Sequence, residues 1–465
     1  MDPFSKLPPE LREKVFIQSR CKTFIPQLIQ ASPIMLRQYI SPKAYIQRTL
    51  LALDFDDDMV QDAMAIILSH SSNISGKYGK TVQKLLRSWA HNELPNPLQA
   101  RDIRLLNLLD QLHTGLLFFI EDYLTKATAT FQPREYLCLP DMLSIQNNLV
   151  FKARKVTTRF DSSRLTNSER KRLLRAFLNY EFQCKANHIK VLTEFERHAV
   201  NCVKIYMCSL YGAMFAQCGD SWLPETPSSP LSTIGLLYPD VFYINPDVFY
   251  INPDVYASDM GLSGEDHFGM VWNFMRSGLD LATIFLQFAT GKVQEREHLK
   301  IWFTEFYKLG YYSFPFIHSF NEFVPKNRTE EVTQRDDPGM YQLLYPLFSS
   351  ACAVRKKVYQ QRAWLFFDDH RFYPSLGAPW SVFPEKVQIK EELAKLLWVE
   401  GWLGDPARTR ALHRSQKWHD ERLGKPSENS EIGEPHDSNL DETCQYSLPN
   451  VKGGIPNREL IPFWK

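Results

Sequence analysis

Four short stretches of this sequence carry residue types that do chemistry in proteins. Asp368-Asp369-His370-Arg371 sets two carboxylates beside an imidazole, the makings of a metal site or of a general base with its orienting partner. Consecutive residues on a helix point around its axis and do not converge on one atom, so a helix-end ion-pair cluster is the expected role. His198 and Cys202 stand four apart and would share a helix face. The stripe Leu192, Phe195, Ala199, Val203, Tyr206 and Leu210 explains that cysteine as a small core residue. No pair among Cys184, Cys202, Cys208 and Cys218 has the C-x-x-C spacing of a zinc site. Asp54, Asp56, Asp57 and Asp58 would suit a cation, but they precede a helical stretch over 59–68 whose positive dipole end favours carboxylates. Gly79-Lys80-Thr81 ends like a phosphate-binding loop, yet the first glycine of such a loop would fall where Ile74 stands. With no nucleophile elbow, dinucleotide loop or H-E-x-x-H, no catalytic site, metal or cofactor is expected.

The elements that would position such groups are expected to be helices. Glycine numbers 20 in 465 residues, below the usual roughly 7%, which argues against a turn-rich β fold. Hydrophobic residues make up 44%, enough for real cores. The 54 basic and 53 acidic residues nearly cancel, so neither nucleic acid nor an anionic membrane is an expected partner. Asp2, Lys6 and Glu10 interrupt the N-terminal stretch, which lacks the pattern of a secretory signal. The most apolar run, 105–124, contains Asp110, His113, Glu121 and Asp122 and reads as a buried helix, not a membrane span. Eight cysteines suit free thiols inside the cell, in cytoplasm or nucleus.

Along the chain, Ser41-Pro42 pairs a cap with a proline and opens a helix carrying Tyr45, Ile46, Leu50 and Leu53. A leucine-rich helix is expected from Asn96-Pro97 to about Lys126, with mixed sequence to Asp161. A helix with Leu174, Phe177 and Leu178 follows Asn167, and a long one covers 188–217. Residues 221–262 are rich in proline and hold a repeat: PDVFYIN at 239–245 recurs letter for letter at 246–252, with a third copy begun at 253. A seven-residue period with a proline in each unit cannot be a coiled-coil heptad, so a duplicated surface loop is expected. Helical pattern resumes at Ser263 and runs from Phe268 to Phe288. The next helix carries Leu299, Trp302, Phe303, Phe306 and Leu309 and stops at Gly310. Two aromatic-rich loops, at 311–323 and 366–380, flank a helix ending near Trp364, and a last helix covers 385–399. Between Lys425 and Gln445 only Ile432, Leu440 and Cys444 are apolar, too few to bury, so the tail is expected to be disordered.

The N-terminal stretch over 7–39 speaks most directly about function. Leu7-Pro8-Pro9-Glu10-Leu11 opens a short helix with Leu11, Val15 and Phe16 on one stripe. A second carries Ile25, Leu28 and Ile29, with Pro26 in its first turn, and Ser32-Pro33 caps a third that carries Leu36. Three short helices are too little for a self-sufficient core, so the rest of the chain or a partner must close them.

This stretch resembles the F-box, the module that docks on the adaptor subunit of SCF ubiquitin ligases. The continuation through Met35-Leu36-Arg37-Gln38-Tyr39 to Asp56-Asp57-Asp58 is similar to F-box-like proteins of filamentous fungi. The resemblance differs from the usual pattern at Thr23-Phe24-Ile25-Pro26, where an acidic-leucine pair is common, and at Tyr39, near a usual tryptophan. It implies an SCF adaptor as partner, an unknown target protein as cargo, and a docking face of Leu7, Pro8, Leu11, Val15, Phe16, Ile25, Leu28 and Leu36. The fold expected is all-α: F-box-like helices over 1–72, then an irregular multi-helix body at 73–220 and 263–403 around the 221–262 loop, and a polar tail over 404–465. The alternative is a helical interaction protein with no ligase link, whose N-terminal helices pack on its own body.

Overall fold

The computed structural model of the chain describes residues 2–19, 24–40, 42–72, 78–100, 102–129, 132–142, 148–186, 192–219, 223, 271, 274–308 and 360–368. The architecture there is all-α with one small sheet. Four helices make the N-terminal module: α1 (Pro9–Ser19), α2 (Phe24–Ala31), α3 (Pro33–Ile40) and α4 (Lys43–Asp54). The body continues with α5 (Asp57–Ser72), α6 (Tyr78–Ala90), α7 (Ile103–Ala127) and the short α8 (Gln132–Tyr136). A sheet of β1 (Leu139–Pro140), β2 (Asn148–Phe151) and β3 (Arg154–Thr158) follows. Then come α9 (Asn167–Ala186), α10 (Glu194–Cys218), α11 (Gly278–Ala289) and α12 (Val293–Lys308). The repeat at 239–256, the aromatic loop at 311–323, the helix at 385–399 and the tail at 404–465 lie outside the described residues.

Several helix starts follow from a capping side chain that accepts a hydrogen bond from a first-turn amide. Ser32 Oγ accepts from Met35 N at 3.1 Å, with Pro33 as first residue of α3. Asp56 accepts from Met59 N at 2.9 Å, and Asp57 and Asp58 fill the first turn of α5, so these three members of the acidic run serve the helix end. Asp102 caps α7 at Leu105 N, 3.0 Å, so that helix starts after Asn96-Pro97 and not on it. Thr193 and Glu196 form a reciprocal capping box that starts α10 later than the apolar pattern suggests. Gly79-Lys80-Thr81 falls inside α6, not in a phosphate loop.

Two hydrophobic cores form among the described residues, and they divide within α4. Ile46 joins Phe16, Ile25, Leu28 and Met35 in the small one, while Leu51 belongs to the large one. The large core runs from Leu51 to Phe367 and unites both parts of the body; α5 belongs to it, so the packing boundary falls ahead of residue 72. α9 is its central helix, with α4, α5, α7, α10 and α11 packed against it. α7 and α10 are long and apolar enough to cross a membrane by length and composition, but much of their apolar surface is buried inside this core.

Three features depart from the sequence pattern. The sheet at 139–158 is an antiparallel meander in the order β1-β2-β3. Its hairpin turns through Lys152 and Ala153, both at positive φ (47° and 65°), and Gln217 Oε1 accepts from Lys152 N at 2.7 Å to hold the turn. The helix expected to run through residue 288 breaks at Gly278, whose φ of +79° only glycine adopts freely. Residues 364–367 are not a surface loop: Trp364, Leu365, Phe366 and Phe367 are all buried, because a run apolar on every side has no face to give to water.

Candidate functional site

The N-terminal module is tied together by its own side chains. Ser32 Oγ donates to Asp2 Oδ2 at 2.6 Å, Arg12 Nε donates to the Phe4 carbonyl at 3.1 Å, and Gln38 Nε2 donates to Glu13 Oε1 at 3.1 Å. Phe16 packs on Tyr39 with ring centroids 5.4 Å apart. The main packing of α1, α2 and α3 is on one another and on α4, and α4 goes on to pack against α7 and α9.

This geometry divides the expected docking face. Phe16, Ile25 and Leu28 point into the small core; Leu7 and Val15 are half-buried; Pro8, Leu11 and Leu36 are exposed. Leu11 is 44% exposed and Leu36 41%. Phe24, Ile40 and Tyr45 join them as large exposed apolar side chains. The expected face did not include these three. Their signal was an apolar residue just off the buried stripe of its helix, which periodicity alone does not separate from core.

Where α4 ends, it is bound to the body by a buried ionic node. Asp54 Oδ2 lies 2.7 Å from His113 Nε2 on α7, and both Asp54 oxygens accept from Arg170 Nε on α9 at 2.8 Å. Burial would raise the Asp54 carboxyl, but the His113 hydrogen bond and the Arg170 charge outweigh it and hold it below the usual carboxylate value. Asp56 pairs with Arg175 next to this node. The acidic run thus divides between capping α5 and joining α4 to α9.

Two more charge clusters lie inside the body. Lys126 donates to Asp122 at 2.7 Å, and Asp122 also accepts from the Tyr206 hydroxyl at 2.7 Å. Burial pulls the Lys126 ammonium below its usual value against the opposing pull of Asp122. Lys185 pairs with Asp280 and stands 3.7 Å from Glu181, whose Oε2 accepts from Leu279 N at 2.8 Å. Burial pushes the Glu181 carboxyl up to about 7, Lys185 opposing it. These groups are closed within helix packing and present no converging metal set: no three His, Cys, Asp or Glu side chains gather as one among the described residues. Cys202 is a buried cysteine outside any disulfide on the core stripe, and His198, four residues before it, is half-buried. Asp368 pairs with Arg172 and accepts from Thr166 Oγ1 at 2.5 Å, an ion-pair role at the start of α9; residues 369–371 lie outside the described residues.

No protein-family model matches this chain, and no curated protein or solved structure matches it either.

Proposed function

We propose that this chain is an F-box-like substrate receptor, which links a target protein to an SCF-type ubiquitin ligase in the cytoplasm or nucleus. Its N-terminal helices dock on the ligase adaptor and its helical body carries the target. The observation behind this reading is the separate small core of α1 to α4, which closes the inner faces of the module and leaves several large apolar side chains outside it. Of the eight large apolar side chains exposed among the described residues, Leu11, Phe24, Leu36, Ile40 and Tyr45 all belong to this module. Large apolar side chains left in water in one module are surface that a partner protein would cover. The N-terminal resemblance supplies the identity of that partner.

One observation favours a second reading. The Asp54 node fixes α4 firmly to α7 and α9, as expected of a helical interaction protein whose N-terminal module belongs to its own body and has no ligase link. Co-purification separates the two. A tagged full-length chain recovers the SCF adaptor and cullin from a lysate on the first reading, and Leu11→Asp with Leu36→Asp abolishes that recovery. Failure of the wild-type chain to recover an adaptor ends the ligase reading.

A further inference from the structure

Three of the four buried arginines among the described residues meet a carboxylate. Arg159 stands 3.7 Å from Glu121, Arg170 lies 2.8 Å from Asp54, and Arg172 pairs with Asp368. Arg362 is the exception. It is 3% exposed, and neither its Nε nor its Nη1 meets an acceptor. Beside it Gln361 is 1% exposed, and its Nε2 also has no acceptor. Adjacent residues therefore bury a group of donors with nothing to receive them, an arrangement that loses hydration without return.

A lysine in this position could shed its proton, but a guanidinium holds it too tightly. Burial lowers Arg362 only to about 10, so the charge persists at neutral pH. Among the described residues no carboxylate pairs with it. The ionisable group acting on it is the Tyr136 phenol, whose hydroxyl donates to the Gln361 carbonyl at 2.5 Å. Asp122 on α7 commits its Oδ2 to Lys126 and Tyr206, and its Oδ1 makes no hydrogen bond to Arg362. The main chain around Arg362 is held in place: Tyr123 donates to the Gln360 carbonyl, Tyr136 to the next, and Ala363 holds a φ of +56°. The backbone that carries the donors is thus held in position before any ligand arrives.

We propose that Arg362 and Gln361 anchor an interior site for a small oxyanion, a carboxylate or phosphate group bound beside Tyr136. Nε lies on the side edge of the guanidinium and Nη1 on its end edge, and each offers an anionic oxygen a charge-assisted donor. The Gln361 amide supplies a further donor. A neutral ligand would satisfy the donors but leave the charge, so an anion is the chemistry this site calls for. The site is independent of adaptor docking and stands whether or not that reading holds.

The test is a calorimetric titration of the full-length protein with inorganic phosphate and, separately, with acetate, at an ionic strength matched with chloride. Thermal melts are recorded in each salt. Phosphate or acetate should bind the wild-type protein and raise its Tm beyond chloride, and Arg362→Met should weaken that binding at least tenfold. Which anion binds distinguishes a phosphate-bearing ligand from a carboxylate one. Absence of heat and of a melting shift with both anions overturns the proposal. An equal response in Arg362→Met overturns it as well, since binding would then lie elsewhere. If Arg362→Met does not fold, Gln361→Leu keeps the charge and removes one donor; it should bind several-fold more weakly, and unchanged affinity counts against the site.

Discussion

Arg170 does more for this fold than a surface arginine could, because Asp54 and His113 depend on it inside the protein. A surface ion pair contributes little, but removing one partner of a buried pair leaves a charge with no solvent. Arg170→Met should therefore destabilise the chain by about 3–5 kcal/mol in urea unfolding. A loss below about 1 kcal/mol would show that the node contributes little. Glu181 makes a prediction with the opposite pH sense to Asp54. Its folded value, about 7, lies above the ordinary glutamate value of 4.5, so the folded state holds the proton more tightly. The stability it contributes is complete below the unfolded value and is lost as pH rises through the folded one. Between pH 5 and 8 the wild-type chain should lose stability, and Glu181→Gln should flatten that slope. An identical slope in the variant would assign the effect to another group, such as Glu135, which burial also raises to about 7. The Asp54 node was not legible in the sequence. Asp54 meets partners 59 and 116 positions away, and no spacing rule reaches that far.

At the scale of elements, Gly278 is the position where a single methyl group should matter most. It holds a φ of +79°, and a Cβ there would come within 2.7 Å of Glu181 Oε2, the same oxygen that accepts from Leu279 N. Gly278→Ala should cost about 1–3 kcal/mol from backbone strain and the displaced carboxylate. A neutral result in thermal melts would mean that the turn is looser than its geometry suggests. The helices themselves were largely legible: apolar stripes marked α7, α9, α10 and α12, and Ser32 and the Asp56 run marked helix starts. Starts moved where apolar pattern preceded the true cap, as at Thr193. The sheet was not legible, because strands of two, four and five residues with a bulge between Leu149 and Val150 show no alternation to read. The division of the expected docking face was legible only in part. Periodicity placed Phe16, Ile25 and Leu28 on stripes, but it could not say that they close on each other and leave Leu11 and Leu36 outside.

At the scale of the molecule, two cores meeting within α4 imply two levels of stability. Phe16→Ala should cost about 3–5 kcal/mol, falling on the small core, so α1 to α3 should lose hydrogen-exchange protection before α7 and α9 do. Uniform loss across both cores would mean that they unfold as one. The most direct measurement of the docking claim is calorimetric titration of purified full-length protein with purified SCF adaptor, for the wild type and for Leu11→Asp with Leu36→Asp. Both sites lie exposed in the first turn of their helices, where a carboxylate is tolerated at the positive dipole end. The wild type should bind, and the double variant should lose binding while its Tm stays the same. Absence of binding by the wild type, or binding unchanged in the variant, would contradict a docking role for this face.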